Sequence, residues 1–596
     1  MSRLLLALLF ALAGWGSAPA QTSDKASASD AEQPTEKAKP AVIAHIKLSG
    51  SLDESAPMAD SLLGSLGENF KSRIDRLKKA GADKNVAAVL LEIDGLNAGW
   101  GKLHELRSAI EKLRASGKPV IGFVEGGAMK DYLLALSCDE VVIPEASMLM
   151  LTGLRTEVTF YKRLLEMVGI KADFVMMGDF KSAAEPYLRD KLSDANRKQL
   201  NEMIDDFYDN EIVGVIAKTR KLEPAVVRKL IDAGPYSPKA ALKANLFDRI
   251  GYLDEIPESL KKRLNVAEVK LERDYGKPKD DDLDIFGLYR KLVFGPTKTS
   301  TSKADKVAVI YAVGAINTGK GGNNPLLGAS MGAETMVKAI REAEEDKTVK
   351  AIVLRVDSPG GSALASDLIW KELKRCKKPV LASMSDVAAS GGYYIAMAAK
   401  KIYAEPGTIT GSIGVVGGKL ALKGLYEKVG LDSEVITRGA NSGIFSDEPF
   451  TDAQKAAFKA MMEDTYDLFL DKALEGRHLA GKKMTRDQLK ALAGGRIWTG
   501  RQALANGLID QLGTLEEAIA EAAKLGGLAA DKEPELLLLP KPKASLDSLL
   551  SGFGLEVIRL LGENPRLTEK VRGIGMFLNK EKEHIWAIAP YQLSFK

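Results

Sequence analysis

The chain has 596 residues, 45% of them hydrophobic and 28% charged, which describes a globular protein with ample core and sets the expectation of two or more domains. Its 84 Lys and Arg stand against 80 Asp and Glu, a net charge of +4 that gives no electrostatic basis for a nucleic-acid partner. Two cysteines, Cys138 and Cys376, are too few for a disulfide framework, and the four histidines show no HExxH or HxxxH spacing, so neither a disulfide scaffold nor a zinc site is expected.

Residues 1–20, "MSRLLLALLFALAGWGSAPA", read as an export signal: Arg3 supplies the charge, Leu4 to Trp15 the apolar stretch, and Ala18-Pro19-Ala20 a small-residue cleavage site. The apolar run is short against the roughly 20 residues of a membrane span. The segment is therefore read either as a cleaved signal or as an uncleaved N-terminal anchor, and both deliver the body across a membrane. Residues 21–40 are polar and rich in Ala, Ser and Lys, as a flexible tether would be.

A first repeat is assigned to residues 41–290 and a second to 305–540, separated by a loose region from Gly276 to Lys306. Four ordered blocks recur at a spacing of about 260 residues. "NVAAVLLEIDGL" returns as "TVKAIVLRVDSP", and the segment around "EGGAMKDYLLALSCDEVVI" returns around "DVAASGGYYIAMAAKKIYA". "LLEMVGIKADFVMMGDFKSA" answers to "LYEKVGLDSEVITRGANSGI", and "KAALKANLFDRIGYLDE" to "RQALANGLIDQLGTLEE". Within the second copy, Ala351 to Val356, "PVLASM" and "KIYAE" are buried strands, while Ser362 to Arg375 and a segment starting near Gly391 are helices. "DANRKQLNEMIDDFYDNEIVGVIAK" and "DAQKAAFKAMMEDTYDLFLDKAL" are long helices near the end of each copy. Continuous apolar strands alternating with helices predict an α/β fold, with a largely parallel sheet covered by helices in each repeat. The extension 541–596 holds an amphipathic helix candidate and a segment with Trp586 and Tyr591 that is expected to pack on the body.

Chemistry is sought first at "SDVAASGGYYIA", where Ser390 stands between a strand and a helix start. The position suits an exposed nucleophile beside unpaired helix amides, and equally a helix N-cap. "RVDSPGGSA" ends another strand in a Pro-Gly-Gly turn able to point backbone amides outward, as an oxyanion hole requires. With no histidine near Ser390, a neutral lysine is the alternative base. A free lysine has a pKa of about 10.4, so such a base must sit in an apolar, enclosed place that disfavours its charge. Aligning the copies puts Lys181, in the apolar setting "ADFVMMGDFKSA", where the second copy has Ser442. Conversely, Met129 or Lys130 stands near the place of Ser390, so each copy lacks what the other holds.

These residues resemble a known family. "GDFKSAAEPY" in the first copy, with "RVDSPGGS", "DVAASGGYYIA" and "TGSIGVVGG" in the second, resembles the long, tandem-repeat form of bacterial signal peptide peptidase A, or protease IV, over about Val42 to Leu539. The resemblance implies a ClpP/crotonase-like α/β fold in each repeat and an exported serine endopeptidase with a Ser-Lys dyad and no cofactor or metal. It matches Ser390 to the nucleophile, Lys181 to the general base and Ser412 to a serine that orients the lysine. Gly361 and Gly391 match the oxyanion-hole amides. It further implies signal peptides and unfolded envelope segments as substrates, a homo-oligomer with a tetramer favoured, and an inner-membrane location with the body facing the periplasm. A soluble periplasmic protein is the alternative once the signal is cleaved. Met176, Met177, Val415 and Val416 are expected near the site, as core or as pocket lining. Two other readings stay open at this level: a crotonase-like acyl-CoA enzyme, which an export signal disfavours, and a non-catalytic exported scaffold.

Overall fold

The structure, a computed structural model, describes residues 39–54, 68–277, 302–324, 328–529, 532–541 and 585–588. The export segment, nearly all of the tether, the centre of the inter-repeat region and the amphipathic candidate of the extension lie outside the described residues.

Each repeat is built on its own parallel sheet. In the first, the order is Arg249–Ile250, Glu140–Ile143, Val120–Val124, Val86–Asn97, Ala41–Ser51, Val269–Glu272, every neighbour parallel. In the second, Ile497–Thr499, Ile409–Gly411, Val380–Ala389, Val349–Ser358, Lys306–Val313 and Glu535–Leu539 follow one another, parallel except for the first pair. Lys401–Ala404 lies beside Val380–Ala389 and carries Gln511–Leu512. The central strands are apolar without alternation because helices cover both faces, as a parallel sheet requires. Leu90, Leu91 and Ile93 in one copy and Ile352, Val353 and Leu354 in the other are fully buried.

The copies agree in detail as well as in outline. The Tyr132 hydroxyl donates to the Leu246 carbonyl at 2.6 Å, and its counterpart Tyr393 donates to Leu508 at 2.8 Å. Lys118 clamps the carbonyls of Ala80 and Asp83 as Lys378 clamps those of Ala343 and Asp346.

A third sheet fastens the repeats together. Val415–Ala421 of the second copy pairs antiparallel with Lys171–Met177 of the first, from Val415 opposite Met177 to Ala421 opposite Lys171. The same sheet takes in Gly360–Ser362, Ala315–Asn317 and, from the far end of the chain, Ile585–Ile588. Trp586 is buried there, so this part of the extension packs on the body. At the other side of the junction, the fully buried Arg355 guanidinium donates to Glu54 at 2.6 Å, to Glu105 at 2.6 Å and to Ser383 at 2.9 Å. Two carboxylates of the first repeat thus meet one cation of the second.

Two elements differ from expectation. The helix read over "DANRKQLNEMIDDFYDNEIVGVIAK" is α-helical over Asp194–Asp206, widens to a π-turn over Phe207–Val213 and resumes over Gly214–Arg220. The wider turn accompanies two packing contacts that a 3.6-residue period does not encode: Phe207 stacks on Trp100 with centroids 5.5 Å apart, and Glu211 pairs with Arg501. The helix read from Ser362 starts at Ala363, because Ser362 ends a short strand and caps the helix, accepting the Ala365 N–H at 3.1 Å. Among the described residues no helix is long and apolar enough to cross a membrane.

Arg355→Ala is expected to destabilise the protein by about 3–5 kcal/mol, because Glu105 would lose its ion-pair partner and Glu54 would keep only the 3.9 Å approach of Lys102 and the Ser385 hydroxyl. Burial already pushes the Glu105 carboxyl up even with the guanidinium beside it. Denaturant melts of the variant beside the wild type check this.

Candidate active site

The antiparallel ladder between the repeats decides where the candidate residues meet. With Val415 opposite Met177, the residues just before Val415 and just after Met177 leave the sheet at the same end. Ser412 lies three positions before Val415 and Lys181 four after Met177. Strand Val380–Ala389 ends at the same place, next to Ile409–Gly411, and Ser390 follows it.

Ser390 has φ 54° and ψ −113°, a conformation that costs a non-glycine residue of order 1–3 kcal/mol. Its N–H donates to the Gly411 carbonyl at 2.8 Å and its carbonyl accepts the Tyr394 N–H at 2.8 Å, which hold the turn in place. Helix Gly391–Ala396 starts immediately after it. In the first copy the matching helix, Met129–Ala135, starts from Ala128 at φ −61°, an ordinary entry. The strained turn therefore belongs to the copy that holds the serine. Ser390 forms no side-chain cap bond to its helix, so the N-cap reading does not account for its hydroxyl.

Lys181 follows strand Lys171–Met177 in a tight loop, its N–H donating to the Gly178 carbonyl at 3.1 Å. Its side chain is 1% exposed. Nζ lies 2.8 Å from Ser390 Oγ, 3.0 Å from Ser412 Oγ and 3.0 Å from the Ser412 carbonyl oxygen. A neutral amine has two N–H groups and one lone pair. The N–H groups match the two Ser412 oxygens, and the lone pair is left to accept the Ser390 O–H. Burial pushes the Lys181 amine well below the usual lysine range, with desolvation the cause. Ser412, itself at φ 51°, is pinned by its N–H donating to the Arg496 carbonyl at 2.7 Å.

The remaining expected residues fall around this centre. Gly361 sits in the short strand Gly360–Ser362 at φ 159°, where a Cβ would stand 2.1 Å from the Ile316 carbonyl oxygen, so no other residue fits. Gly391 is the first residue of its helix, a position whose N–H has no intrahelical partner. Met177, Val415 and Val416 are buried in apolar clusters beside the site, and Met176 is half-buried against one. Ser442, the counterpart of Lys181, is exposed. Lys130 is turned away into the first copy, donating to the Ala98 carbonyl at 2.6 Å and lying over the Trp100 ring. His45 and His104 pair with Glu92 and Glu405, and His478 with the Met484 carbonyl, so none of these three serves Ser390.

Two positioning residues carry no signal in the sequence. Gln199, buried on helix Asp194–Asp206, donates to the Phe180 carbonyl at 3.1 Å and to Ser182 Oγ at 3.2 Å while accepting the Ile497 N–H at 3.2 Å. Gly495, at φ 83°, lets the second repeat approach so closely that a Cβ would stand 2.4 Å from Lys181 Cα. A lone Gln in a polar helix and a Gly-Gly pair in a loop become legible only when the repeats are docked.

The Peptidase family S49 model matches residues 112–267 and 372–529, and a Clp protease model matches residues 329–408. The chain is 38% identical over 514 residues to "Serine protease SPPA, chloroplastic" of Arabidopsis thaliana, covering 84% of this chain and 73% of that protein. It is 30% identical over 497 residues to "Protease 4" of Salmonella typhi, covering 79% and 76% of the two chains. With "Protease 4" of Haemophilus influenzae the identity is 29% over 493 residues, covering 80% and 77%.

Lys181→Met is expected to stabilise the fold at neutral pH, because holding a buried amine against its charged form costs the wild type free energy that an apolar thioether does not. The unfolded lysine keeps its proton up to the ordinary range while the folded one sheds it lower. Between the two values the unfolded state binds more protons, and wild-type stability rises with pH across that window. Urea melts over a pH series should show this slope in the wild type and a shallower one in Lys181→Met.

Proposed function

This chain belongs to Peptidase family S49, and on that footing we propose that Ser390 is its nucleophile and Lys181 its general base. The observation that carries the reading is the 2.8 Å contact between a buried lysine amine and a serine hydroxyl held in a strained turn. Neutral Lys181 takes the hydroxyl proton as Ser390 Oγ attacks the peptide carbonyl. The amides of Gly361 and Gly391 hold the oxyanion. The lysine, now an ammonium, protonates the leaving amine. Neutral again, it deprotonates a water whose oxygen bonds to the acyl carbon, and it returns that proton to Ser390 Oγ as the ester bond breaks and the new carboxyl end leaves. Ser412 keeps Nζ aimed at Ser390 throughout. Every proton passes through Lys181, and the dyad forms within one chain: the repeat at 41–290 supplies the base and the repeat at 305–540 the nucleophile.

The substrates are signal peptides after their release from preproteins, together with other unfolded envelope segments. The export-type N-terminus supports this assignment, as do the "Protease 4" relatives. The same N-terminus supports a location at the inner membrane with the body facing the periplasm. A homo-oligomer, taken as a tetramer, is supported by an apolar stretch that one chain leaves open, with Val435 66% and Ile436 83% exposed. Through the ordered blocks of the repeat, this stretch corresponds to the strand Lys171–Met177 that the first copy uses to hold its neighbour.

On a fluorogenic apolar peptide amide, Ser390→Ala and Lys181→Met are each expected to lower kcat/KM at least about 10³-fold, and Ser412→Ala by a smaller factor. The wild-type profile should rise with pH through the depressed lysine value and level off below the ordinary lysine range of about 10.4. Activity surviving in Lys181→Met would assign the proton to another base.

A further inference from the structure

The slot beside the oxyanion strand is already filled by the protein's own chain. Ile585–Ile588 lies between Gly360–Ser362 and Val415–Ala421 and runs antiparallel to both. Gly361 stands opposite Ala587 and Ser362 opposite Trp586 on one side. On the other, Val416 stands opposite Trp586 and Gly417 opposite Ile585. Removing this strand would split the sheet, leaving a gap one strand wide, about 10 Å between its edges. One edge carries Gly361 and the other begins three residues after Ser412, while the helix that starts at Gly391 packs against the strand itself. A peptide that brings its carbonyl to Ser390 must run extended through this region, and two free strand edges are what an extended peptide pairs with.

The side chains alternate as those of a bound peptide would. Trp586 is buried among Leu165, Phe174, Ala184, Tyr187, Val416 and Leu420, a pocket drawn from both repeats. Ile585 points the other way, onto the cluster of Met177, Val415, Phe458 and Met462. With four residues paired, the strand is short enough for a competing peptide to displace it.

We propose that Ile585–Ile588 is a built-in pseudo-substrate, which closes the peptide slot in cis and competes with substrate, and that the Trp586 pocket selects a large aromatic or aliphatic side chain. This rests on the Ser390–Lys181 reading of the site. An intramolecular competitor reduces the fraction of open enzyme, so it raises apparent KM and leaves kcat unchanged.

The test uses the full chain with Trp586→Asp, which disfavours the pocket, and separately Ala587→Pro, which interrupts the ladder. Each should lower KM for an apolar fluorogenic peptide at least about threefold at unchanged kcat. The synthetic peptide HIWAIAPYQ should inhibit Trp586→Asp competitively, and the same peptide with Asp in place of Trp should not. As a readout independent of turnover, the fluorescein-labelled peptide should bind the Ser390→Ala/Trp586→Asp double variant by anisotropy, more tightly than it binds Ser390→Ala alone. Unchanged or raised KM in both variants, or equal anisotropy titrations, would overturn the pseudo-substrate while leaving the dyad intact. Tight peptide binding together with hydrolysis that survives Ser390→Ala would instead overturn the dyad and leave the occupied slot standing. If Trp586→Asp fails to fold, Ala587→Pro and the anisotropy comparison made in its background decide the matter.

Discussion

The junction of the two repeats meets one electrostatic condition: an amine kept from water and placed against a hydroxyl. A lysine in solvent is a cation at neutral pH and cannot accept a proton. Lys181 escapes that state through burial alone, with desolvation as the cause of its depressed basicity. The condition is demanding, because a single nearby carboxylate would restore the charge. Oxygens of serine are what the structure places around Nζ: the hydroxyl of Ser390 and both oxygens of Ser412.

Meeting that condition consumes stability, and the architecture shows where it is offset. Ser390 and Ser412 both sit at positive φ, and Arg355 with its carboxylates is enclosed at the same interface. Against these costs stand two parallel sheets covered on both faces. The ladder from Lys171 to Met177 then ties them together and brings both halves of the site to one end of a sheet. The two repeats have divided the labour: the first has an unstrained helix start where the second has its serine, and the second has an exposed serine where the first has its lysine.

The repeats, the α/β class and the outlines of the central strands were legible in the sequence because each is a local pattern: a recurring block, or an apolar run of strand length. Ser390 was visible as a small-residue turn, and Lys181 became visible when the copies were compared. The third sheet was not legible. "VVGGKLA" has neither alternation nor a continuous apolar run, and its partners come from the other repeat and from the end of the chain. Gln199 and Gly495 were hidden for the same reason, since their partners are supplied by docking rather than by neighbours in sequence. The widened turn over Phe207–Val213 escaped because a helical period persists through it.

The cross-repeat ladder also bears on when the molecule becomes chemically competent. Ser390 and Lys181 are separated by 209 positions, each turn is held by backbone bonds within its own repeat, and the Lys181 amine meets Ser390 and Ser412 only across the junction. During synthesis the first repeat emerges with a lysine that is still hydrated and therefore charged. The serine emerges much later, and long-range strand pairing is a slow step in folding. Until the two halves close on each other, the nascent chain holds a cation and an ordinary alcohol. On the roles proposed for Ser390 and Lys181, reactivity is thus a property of the finished tertiary structure, which a half-folded chain does not yet have.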